Sequence, residues 1–175
     1  MRVVAGELRG RRLAGPAGPV TRPTADRVRE ALFSILGDVS GLRVLDLFAG
    51  SGALGIEALS RGASQAVFVD SSRRAVAAIR SNLTALGLEA PVHRRDALAF
   101  LAGSGGGAGF DLAFLDPPYN SAGPLAAPLA ERLPPILTQE ARIVTESDKR
   151  SPLLIPFTLV RERFYGDTRI AVYRR

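Results

Sequence analysis

The stretch Phe110-Asp111-Leu112-Ala113-Phe114-Leu115-Asp116-Pro117-Pro118-Tyr119-Asn120 decides how this chain folds. A mostly apolar run lies between a glycine-rich segment at 103–109 and two consecutive prolines. This pattern predicts a buried parallel strand that ends at a rigid corner. In open α/β sheets ligands bind beyond the carboxyl ends of the strands. We therefore expect the functional site at the corner that follows Leu115.

The corner offers hydrogen-bond acceptors that suit the exocyclic amine of a nucleobase. The lone pair of such an amine is delocalised into the ring, so the nitrogen is a poor nucleophile until its N–H bonds are held. The carboxylate of Asp116 and the carbonyl of Pro117 can accept these bonds, and proline fixes φ at about −65° without adding an N–H. Tyr119 can stack on a base that has left its strand. A simple surface turn is the structural alternative.

From Leu42 onward the chain repeats strand, glycine turn and helix, which indicates a parallel sheet covered by helices on both faces. Strands are predicted at 43–48, 65–70, 91–95, 110–115 and 141–146, and helices at 53–61, 73–86, 97–101 and 124–133. Two more strands, 157–165 and 168–174, have so short a connection that they must be antiparallel. The prediction is an α/β, Rossmann-like, seven-stranded and mostly parallel sheet with a C-terminal antiparallel hairpin. This is the pattern of the class I methyltransferase fold, which uses S-adenosylmethionine.

The residues before Leu42 predict a hairpin and one helix. Residues 1–13 alternate weakly around two glycines, as in a short hairpin. Apolar residues then recur at helical spacing from Val28 to Leu36, with Thr24 as N-cap and Gly37 at the end. We predict a single domain over residues 1–175, in which residues 1–20 form a small N-terminal extension.

The composition favours an anionic partner such as nucleic acid. The 175 residues carry a formal charge of +6 and a pI of about 10.9, and seven of the arginines lie within residues 1–30. A solvated basic face is the alternative. The chain lacks cysteine, which excludes disulfides and thiolate metal sites, and we expect no metal. No apolar run approaches the roughly 18 residues of a membrane span and no signal peptide is visible, so we expect a cytoplasmic protein.

A glycine-rich turn follows the first predicted strand. Gly50, Gly52 and Gly55 satisfy G-x-G-x-x-G, and Asp70 comes 20 residues after Gly50. Taken alone, this pattern fits an NAD oxidoreductase. Asp46 argues against that interpretation, because dinucleotide folds usually carry an apolar residue there. The chain also lacks a second nucleotide-binding half, and S-adenosylmethionine is therefore the expected cofactor.

Acidic residues follow three successive predicted strands. In methyltransferases an acid at the position of Asp46 handles the methionine amino group of the cofactor. Asp70 is placed to accept both ribose hydroxyls, and Asp96 to accept the adenine amino group beside the backbone N–H of Ala97. Asp96 could instead only cap the next helix. The expected cofactor-binding residues are Asp46, Phe48, Gly50, Gly52, Asp70, Ser71, Asp96 and Ala97.

Three motifs together resemble the RsmD family, the bacterial 16S ribosomal RNA guanine-N2 methyltransferases. The resemblance runs nearly from end to end, and two departures are Ala5 and Leu8, where many members have glycine and tryptophan. The motifs are Arg22-Pro23-Thr24 with Asp26-Arg27-Val28-Arg29-Glu30, the stretch from Asp46 to Gly62, and Asp116-Pro117-Pro118-Tyr119. The last motif is the least specific, since DNA adenine-N6 methyltransferases look similar there.

The resemblance implies methylation of N2 of guanine 966 of 16S rRNA in the small (30S) ribosomal subunit. The implied catalytic residues are Asp116, Pro117 and Tyr119. We expect the N-terminal extension to bind RNA and the protein to be a monomer. The expected RNA-binding residues are Arg9, Arg11, Arg12, Arg22, Thr24, Arg27 and Arg29. A DNA adenine-N6 methyltransferase and a noncatalytic RNA-binding protein are the alternatives.

Overall fold

The structure is a computed structural model that describes residues 1–16, 26–103, 109–118 and 122–175. Its strands are β1 (Arg43–Leu47), β2 (Gln65–Asp70), β3 (Val92–Arg94), β4 (Phe110–Leu115), β5 (Leu137–Asp148), β6 (Thr158–Tyr165) and β7 (Thr168–Arg174). Its helices are α1 (Asp26–Leu36), α2 (Ala53–Ser60), α3 (Arg73–Leu86), α4 (Ala97–Gly103) and α5 (Ala122–Arg132), and a short 3-10 turn, Pro134–Ile136, leads into β5.

The strands form one sheet in the order β3-β2-β1-β4-β5-β7-β6. The pairs among β1 to β5 are parallel, and β7 runs antiparallel to both β5 and β6. The predicted seven-stranded, mostly parallel sheet with a C-terminal antiparallel hairpin is thus confirmed. The strand order reverses between β1 and β4, and a crevice for ligands opens at such a reversal.

The two faces of the sheet bury separate apolar cores. Asp46 lies opposite Phe68 on β2 and Phe114 on β4, and Phe114 lies opposite Val144 on β5. Because residues in register point to the same face, Asp46 lies in an otherwise apolar row. Helices α1, α2 and α3 contribute to the core on this face, and α4 and α5 to the core on the other. The site is therefore held by strands whose two faces are both packed.

Three elements extend beyond their predicted bounds, and one of them, α4, ends at Gly103 rather than at the predicted 101. Strand β5 begins at Leu137 and ends at Asp148, whereas the apolar pattern predicts only 141–146. Its pairing with β4 shifts register between Phe110 and Leu112, and such an irregularity lets a long strand continue. Helix α5 begins at Ala122, before the predicted start at 124. Thr24, the predicted cap of α1, lies outside the described residues.

The N-terminal segment pairs with itself and is then fastened to α2. Arg2 and Arg12 form an antiparallel bridge, which confirms a short hairpin-like pairing. The buried carboxylate of Glu57 on α2 accepts the backbone N–H of Val4 at 2.8 Å and of Ala5 at 2.9 Å. The Ser60 hydroxyl donates to the Ala5 carbonyl at 2.6 Å. Helix α2 therefore fixes where the extension lies.

Arg29 completes this network and does not face the solvent. Its side chain is fully buried, with Nε 3.4 Å from the Glu57 carboxylate and Nη2 2.9 Å from Asp26 Oδ1. It also donates to the Arg2 carbonyl. The prediction that Arg29 holds an RNA phosphate is wrong, because a guanidinium buried in this way cannot reach a phosphate. The helical pattern could have placed Arg29 on the buried face, because Leu32, Phe33 and Leu36 follow it at three, four and seven residues.

We expect Arg29→Ala to lower the free energy of unfolding by about 3 kcal/mol or more, because removing one partner leaves a buried carboxylate with fewer donors. The matched control is Arg27→Ala, on the exposed side of the same helix, which should cost about 0.5 kcal/mol or less. Urea unfolding followed by circular dichroism measures both. Equal losses in the two variants would contradict the structural role of Arg29.

Candidate cofactor and catalytic site

Asp46 is a buried carboxylate at the centre of the sheet. It is 2% exposed, and its Oδ2 accepts the backbone N–H of Gly55 at 2.9 Å. Burial raises the pKa of Asp46 from 3.8 to about 8; the Gly55 hydrogen bond opposes this shift and the charge of Asp70 adds to it. A carboxyl group that is buried although burial disfavours its ionised form is typical of a site that binds a cation.

The glycine turn brings the backbone close to the end of β1. Gly50 and Gly52 have φ of 57° and 78°, in the left-handed region. At Gly55 a Cβ would lie 2.3 Å from Phe68 Cε1 and 3.2 Å from Asp46 Oδ2, so only glycine lets α2 approach β2 so closely. Phe48 also has a positive φ, 63°, which is strained for a bulky side chain. The backbone conformation of this turn is therefore fixed by the close packing of α2 against the sheet.

Asp70 joins the glycine turn to the start of α3. Its Oδ2 accepts the N–H of Gly50 at 2.9 Å, and its Oδ1 accepts the N–H of Ser72 at 2.8 Å. A carboxylate has about four acceptor positions, so both oxygens keep capacity for the hydroxyls of a ligand. Ser71, beside it, is exposed. The structure thus places Asp70 at the rim of the site beside the glycine turn.

Asp96 follows β3 and caps the next helix. Its Oδ1 accepts the N–H of Ala99 at 3.0 Å, as an N-cap residue does. The side chain remains exposed, whereas Ala97 is buried. The capping alternative is therefore present in the structure, and the adenine contact stays a prediction. Its exposed carboxylate still has acceptor positions for a ligand.

The Asp-Pro-Pro corner directly follows β4, as predicted. Asp116 is half-buried, Pro117 is buried and Pro118 is exposed, whereas Tyr119 lies outside the described residues. The pKa of Asp116 is raised well above its usual value of 3.8, first by loss of hydration and then by the negative charges of Glu146 and Asp46. The corner and the end of β1 therefore share one electrostatic environment.

Glu146 is an acid near the corner that the sequence analysis did not single out. It lies at the carboxyl end of β5, is 4% exposed and raises the pKa of Asp116. The signal was present in the sequence, because an acid in the buried strand Ala-Arg-Ile-Val-Thr-Glu repeats the pattern of Asp46 in β1. The site thus combines carboxylates from β1, β2, β4 and β5.

Among the described residues, no group of three or more His, Cys, Asp or Glu side chains is placed to hold a metal ion.

Part of the predicted basic surface is exposed near this site. Arg9, Arg11, Arg12 and Arg27 are exposed, although Arg11 also donates to the Ala85 carbonyl at the end of α3 at 2.7 Å. Arg22 and Thr24 lie outside the described residues. The N-terminal segment and the start of α1 border an open cavity of about 430 Å³; its lining residues are Met1, Arg2, Arg12, Leu13 and Asp26.

The cavity adjoins the glycine turn. Met1 Sδ lies 3.8 Å from the hydroxyl of Ser51, which stands between Gly50 and Gly52. The Asn82 side chain ties the two together, since its amide donates to the carbonyls of Ser51 and Ala14, each at 2.9 Å. The basic segment and the glycine turn are therefore neighbours.

No helix in the described part of the chain is long and apolar enough to cross a bilayer.

Comparison with known proteins identifies the family. The family model described as conserved hypothetical protein 95 matches residues 1–174. The ribosomal RNA small subunit methyltransferase D of Escherichia coli (strain K12) is 37% identical over 185 residues, which cover 100% of this chain and 90% of that protein.

Solved structures agree with the fold. The hypothetical protein TTHA0928 of Thermus thermophilus has a TM-score of 0.84 and 32% identity, over 100% of this chain and 99% of that chain. SMU.776, a structure determined in complex with SAH, has a TM-score of 0.67 at 18% identity, over 86% of this chain and 49% of that chain. The second likeness concerns the fold alone. With its match over nearly the whole length, this chain belongs to the RsmD family of ribosomal RNA small-subunit methyltransferases.

Proposed function

We propose that this protein transfers a methyl group from S-adenosylmethionine to the exocyclic N2 of one guanine, guanine 966, of 16S rRNA in the small ribosomal subunit. The observation that carries the proposal is the Asp116-Pro117 corner. It follows β4 directly and shares its electrostatic environment with Asp46 at the end of β1. Family membership supports the rRNA substrate, because the Escherichia coli relative is named a ribosomal RNA methyltransferase.

The residues around the glycine turn fit the donor. When bound, S-adenosylmethionine supplies an electrophilic methyl group on a positively charged sulfur. Asp46, once ionised, attracts the amino group of the methionine portion, and the start of α2 offers backbone N–H groups to its carboxylate. Asp70 accepts the ribose hydroxyls, and Asp96, just before α4, accepts the adenine amino group beside the backbone N–H of Ala97. SMU.776, which has this fold, binds SAH.

The corner residues act on the guanine amine. Asp116 and the Pro117 carbonyl accept its two N–H bonds and turn the nitrogen lone pair toward the methyl group. The rate then comes chiefly from proximity and orientation, as in other reactions between two bound partners. Tyr119 stacks on the base after the base has left its own stack.

One chain provides both sets of residues, so we propose a monomer that acts on subunits in the cytoplasm.

The exposed arginines provide the surface for the RNA. Arg9, Arg11 and Arg12 belong to the N-terminal segment and Arg27 to α1, and Arg12 lines the cavity beside the glycine turn. Arginine suits phosphate because its guanidinium can form two parallel hydrogen bonds. Arg22 and Thr24, just before α1 in sequence, complete the proposed RNA-binding set. A DNA adenine-N6 methyltransferase would use the same corner, but the rRNA-modifying relative favours RNA.

Affinity for S-adenosylhomocysteine should rise with pH between 6 and 8. The pKa of Asp46 is about 8, so its carboxyl is largely protonated at pH 6 and loses that proton when the cationic amino group binds. The dissociation constant should fall about tenfold or more over this interval. Isothermal titration calorimetry measures both the affinity and the released proton. The Asp46→Asn variant should bind weakly and without this dependence, and an equal dependence in both proteins would contradict the assignment.

Methyl-labelled S-adenosylmethionine and small subunits lacking the modification test the reaction directly. After digestion of the RNA, we expect the label in N2-methylguanosine at position 966. The Asp116→Ala variant should lose about a hundredfold or more in turnover while still binding S-adenosylhomocysteine. Label in another nucleoside or only in added DNA would overturn the substrate. Near-normal turnover of the variant would overturn the assigned role of Asp116.

Neutralising two exposed arginines should weaken RNA binding and reduce its salt dependence. For the double variant Arg9→Gln and Arg12→Gln, the slope of log K against log salt should fall by about 2, one for each lost phosphate contact. Filter binding to a 16S rRNA fragment measures this slope. The matched control, Arg161→Gln with Arg163→Gln, changes two exposed arginines on the edge strand β6. Equal effects of the two double variants would show only a general charge effect.

A further inference from the structure

We propose that Asn82 is a positioning residue that holds the N-terminal segment against the glycine turn, so that binding of the donor at the turn and binding of RNA at the segment strengthen each other. This inference rests on the proposed function and assigns a role to a residue of α3 that belongs to neither the glycine turn nor the proline corner. Three features of the structure carry it: the burial of Asn82, its hydrogen bonds, and a second contact between the same two parts of the chain.

Asn82 is a polar residue on the apolar side of α3. It is 3% exposed, and Ala78 and Ile79, one helical turn before it, are buried as well. A Cβ at Gly52 would lie 3.3 Å from Ile79 Cγ1, so this side of α3 packs directly against the glycine turn. A buried amide is unfavourable unless its N–H groups and its oxygen are hydrogen-bonded. The partners of Asn82 therefore explain why an amide is tolerated at this position.

Three hydrogen bonds satisfy the amide and join two separate parts of the chain. Its Nδ2 donates to the carbonyls of Ser51 and Ala14, each at 2.9 Å. Its Oδ1 accepts the backbone N–H of Ala14 at 2.8 Å. Neither a carboxylate nor a hydroxyl side chain offers two donors and an acceptor together. The chemistry of an amide is thus used in full, and one side chain binds both backbone polar groups of Ala14.

Ser51 makes a second contact between the turn and the segment. Its hydroxyl lies 3.8 Å from Met1 Sδ, and the Met1 carbonyl accepts the N–H of Leu13 at 3.0 Å. The residue before Ser51, Gly50, donates its N–H to Asp70, the proposed acceptor for the ribose hydroxyls. The turn is therefore bonded to the donor site on one side and to the N-terminal segment on the other. A ligand that orders the turn also orders the segment.

The part of the segment that Asn82 holds carries proposed RNA contacts. Arg11 and Arg12 are exposed and stand three and two residues before Ala14. The Arg11 guanidinium also donates to the carbonyl of Ala85 at 2.7 Å, so α3 contacts the segment a second time close to Asn82. Whichever ligand binds second meets a network that the first has already ordered. By thermodynamic reciprocity, each ligand then raises the affinity for the other by the same factor.

The test is the affinity for a 16S rRNA fragment, measured by filter binding with and without saturating S-adenosylhomocysteine. In the wild-type protein we expect the RNA to bind about fivefold more tightly when S-adenosylhomocysteine is present, and in Asn82→Ala this ratio should fall to about 1. Ser60→Ala is the matched control. The Ser60 hydroxyl accepts the N–H of Leu8 at 3.0 Å and donates to the carbonyl of Ala5 at 2.6 Å, bonds that fasten the same segment to α2 instead of to the turn. This variant should keep the wild-type ratio.

Steady-state kinetics with small subunits separate positioning from a loss of catalytic groups. In Asn82→Ala the KM values for subunits and for S-adenosylmethionine should each rise about fivefold, whereas kcat should stay within about twofold, because Asp116 and Pro117 belong to the end of β4. Binding of S-adenosylhomocysteine without RNA should also stay within about twofold of the wild-type affinity. Loss of that binding would show that Asn82 only supports the donor site, and would overturn the inference.

Hydrogen exchange in the wild-type protein gives a result that needs no variant to fold. When S-adenosylhomocysteine binds, NMR should show protection of the Ala14 amide increasing about fivefold or more, and protection of the Leu8 amide, which Ser60 holds, staying the same. Unchanged protection of Ala14, a wild-type ratio of about 1, or equal ratios in Asn82→Ala and the wild-type protein would each overturn the inference. If the ratios are as expected but the wild-type protein transfers no methyl group to subunits, the proposed function fails and the coupling stands.

Discussion

The site depends on one constraint: parallel strands end at the same edge of a sheet. Strands β2, β1, β4 and β5 are consecutive neighbours, and each carries a carboxylate at or near its carboxyl end. Burying these acids together is unfavourable: loss of hydration first, and then repulsion between neighbouring acids, raises the pKa values of Asp46 and Asp116. The apolar cores on both faces hold the strands in register against this repulsion. A cationic ligand at the edge would relieve it, which links the stability of the site to ligand binding.

A second buried network gives the N-terminal segment its place. Glu57 lies on α2, the helix that begins directly after the glycine turn, and its carboxylate holds both Arg29 and the backbone of residues 4 and 5. The same short helix therefore contacts the turn at its start and the basic segment farther along. An insertion or rotation of α2 would disturb both at once. The position of the exposed arginines of this segment relative to the glycine turn is thus set by contacts within the protein.

The sequence predicted the sheet well because several strands carry an apolar run and begin or end near glycine or proline. Asp46, Asp70 and Asp116 were found since each follows such a run. Glu146 also lies at the end of an apolar run, but it was not singled out because the end of β5 was not correctly predicted. The extra length of β5 depends on its pairing with β4 and β7. Arg29 was misassigned because a positive charge beside Arg27 suggests a surface, and its partner Glu57 is 28 residues away. Partners so distant in sequence become visible only in the fold.

The charges of the molecule are divided in a way that suits the proposed reaction. The chain as a whole is basic, with a formal charge of +6, yet Asp46, Asp70, Asp116 and Glu146 lie at or near the carboxyl ends of neighbouring strands. The exposed arginines attract a polyanion from a distance, whereas the buried carboxylates act only on what enters the site. Methyl transfer removes the positive charge from sulfur, so the carboxylates attract the product less than they attract the donor. Loss of hydration first, and then the charges of neighbouring acids, raise the pKa of Asp46 and Asp116; the same negative charges would favour the cationic sulfonium of the donor over the neutral thioether of the product.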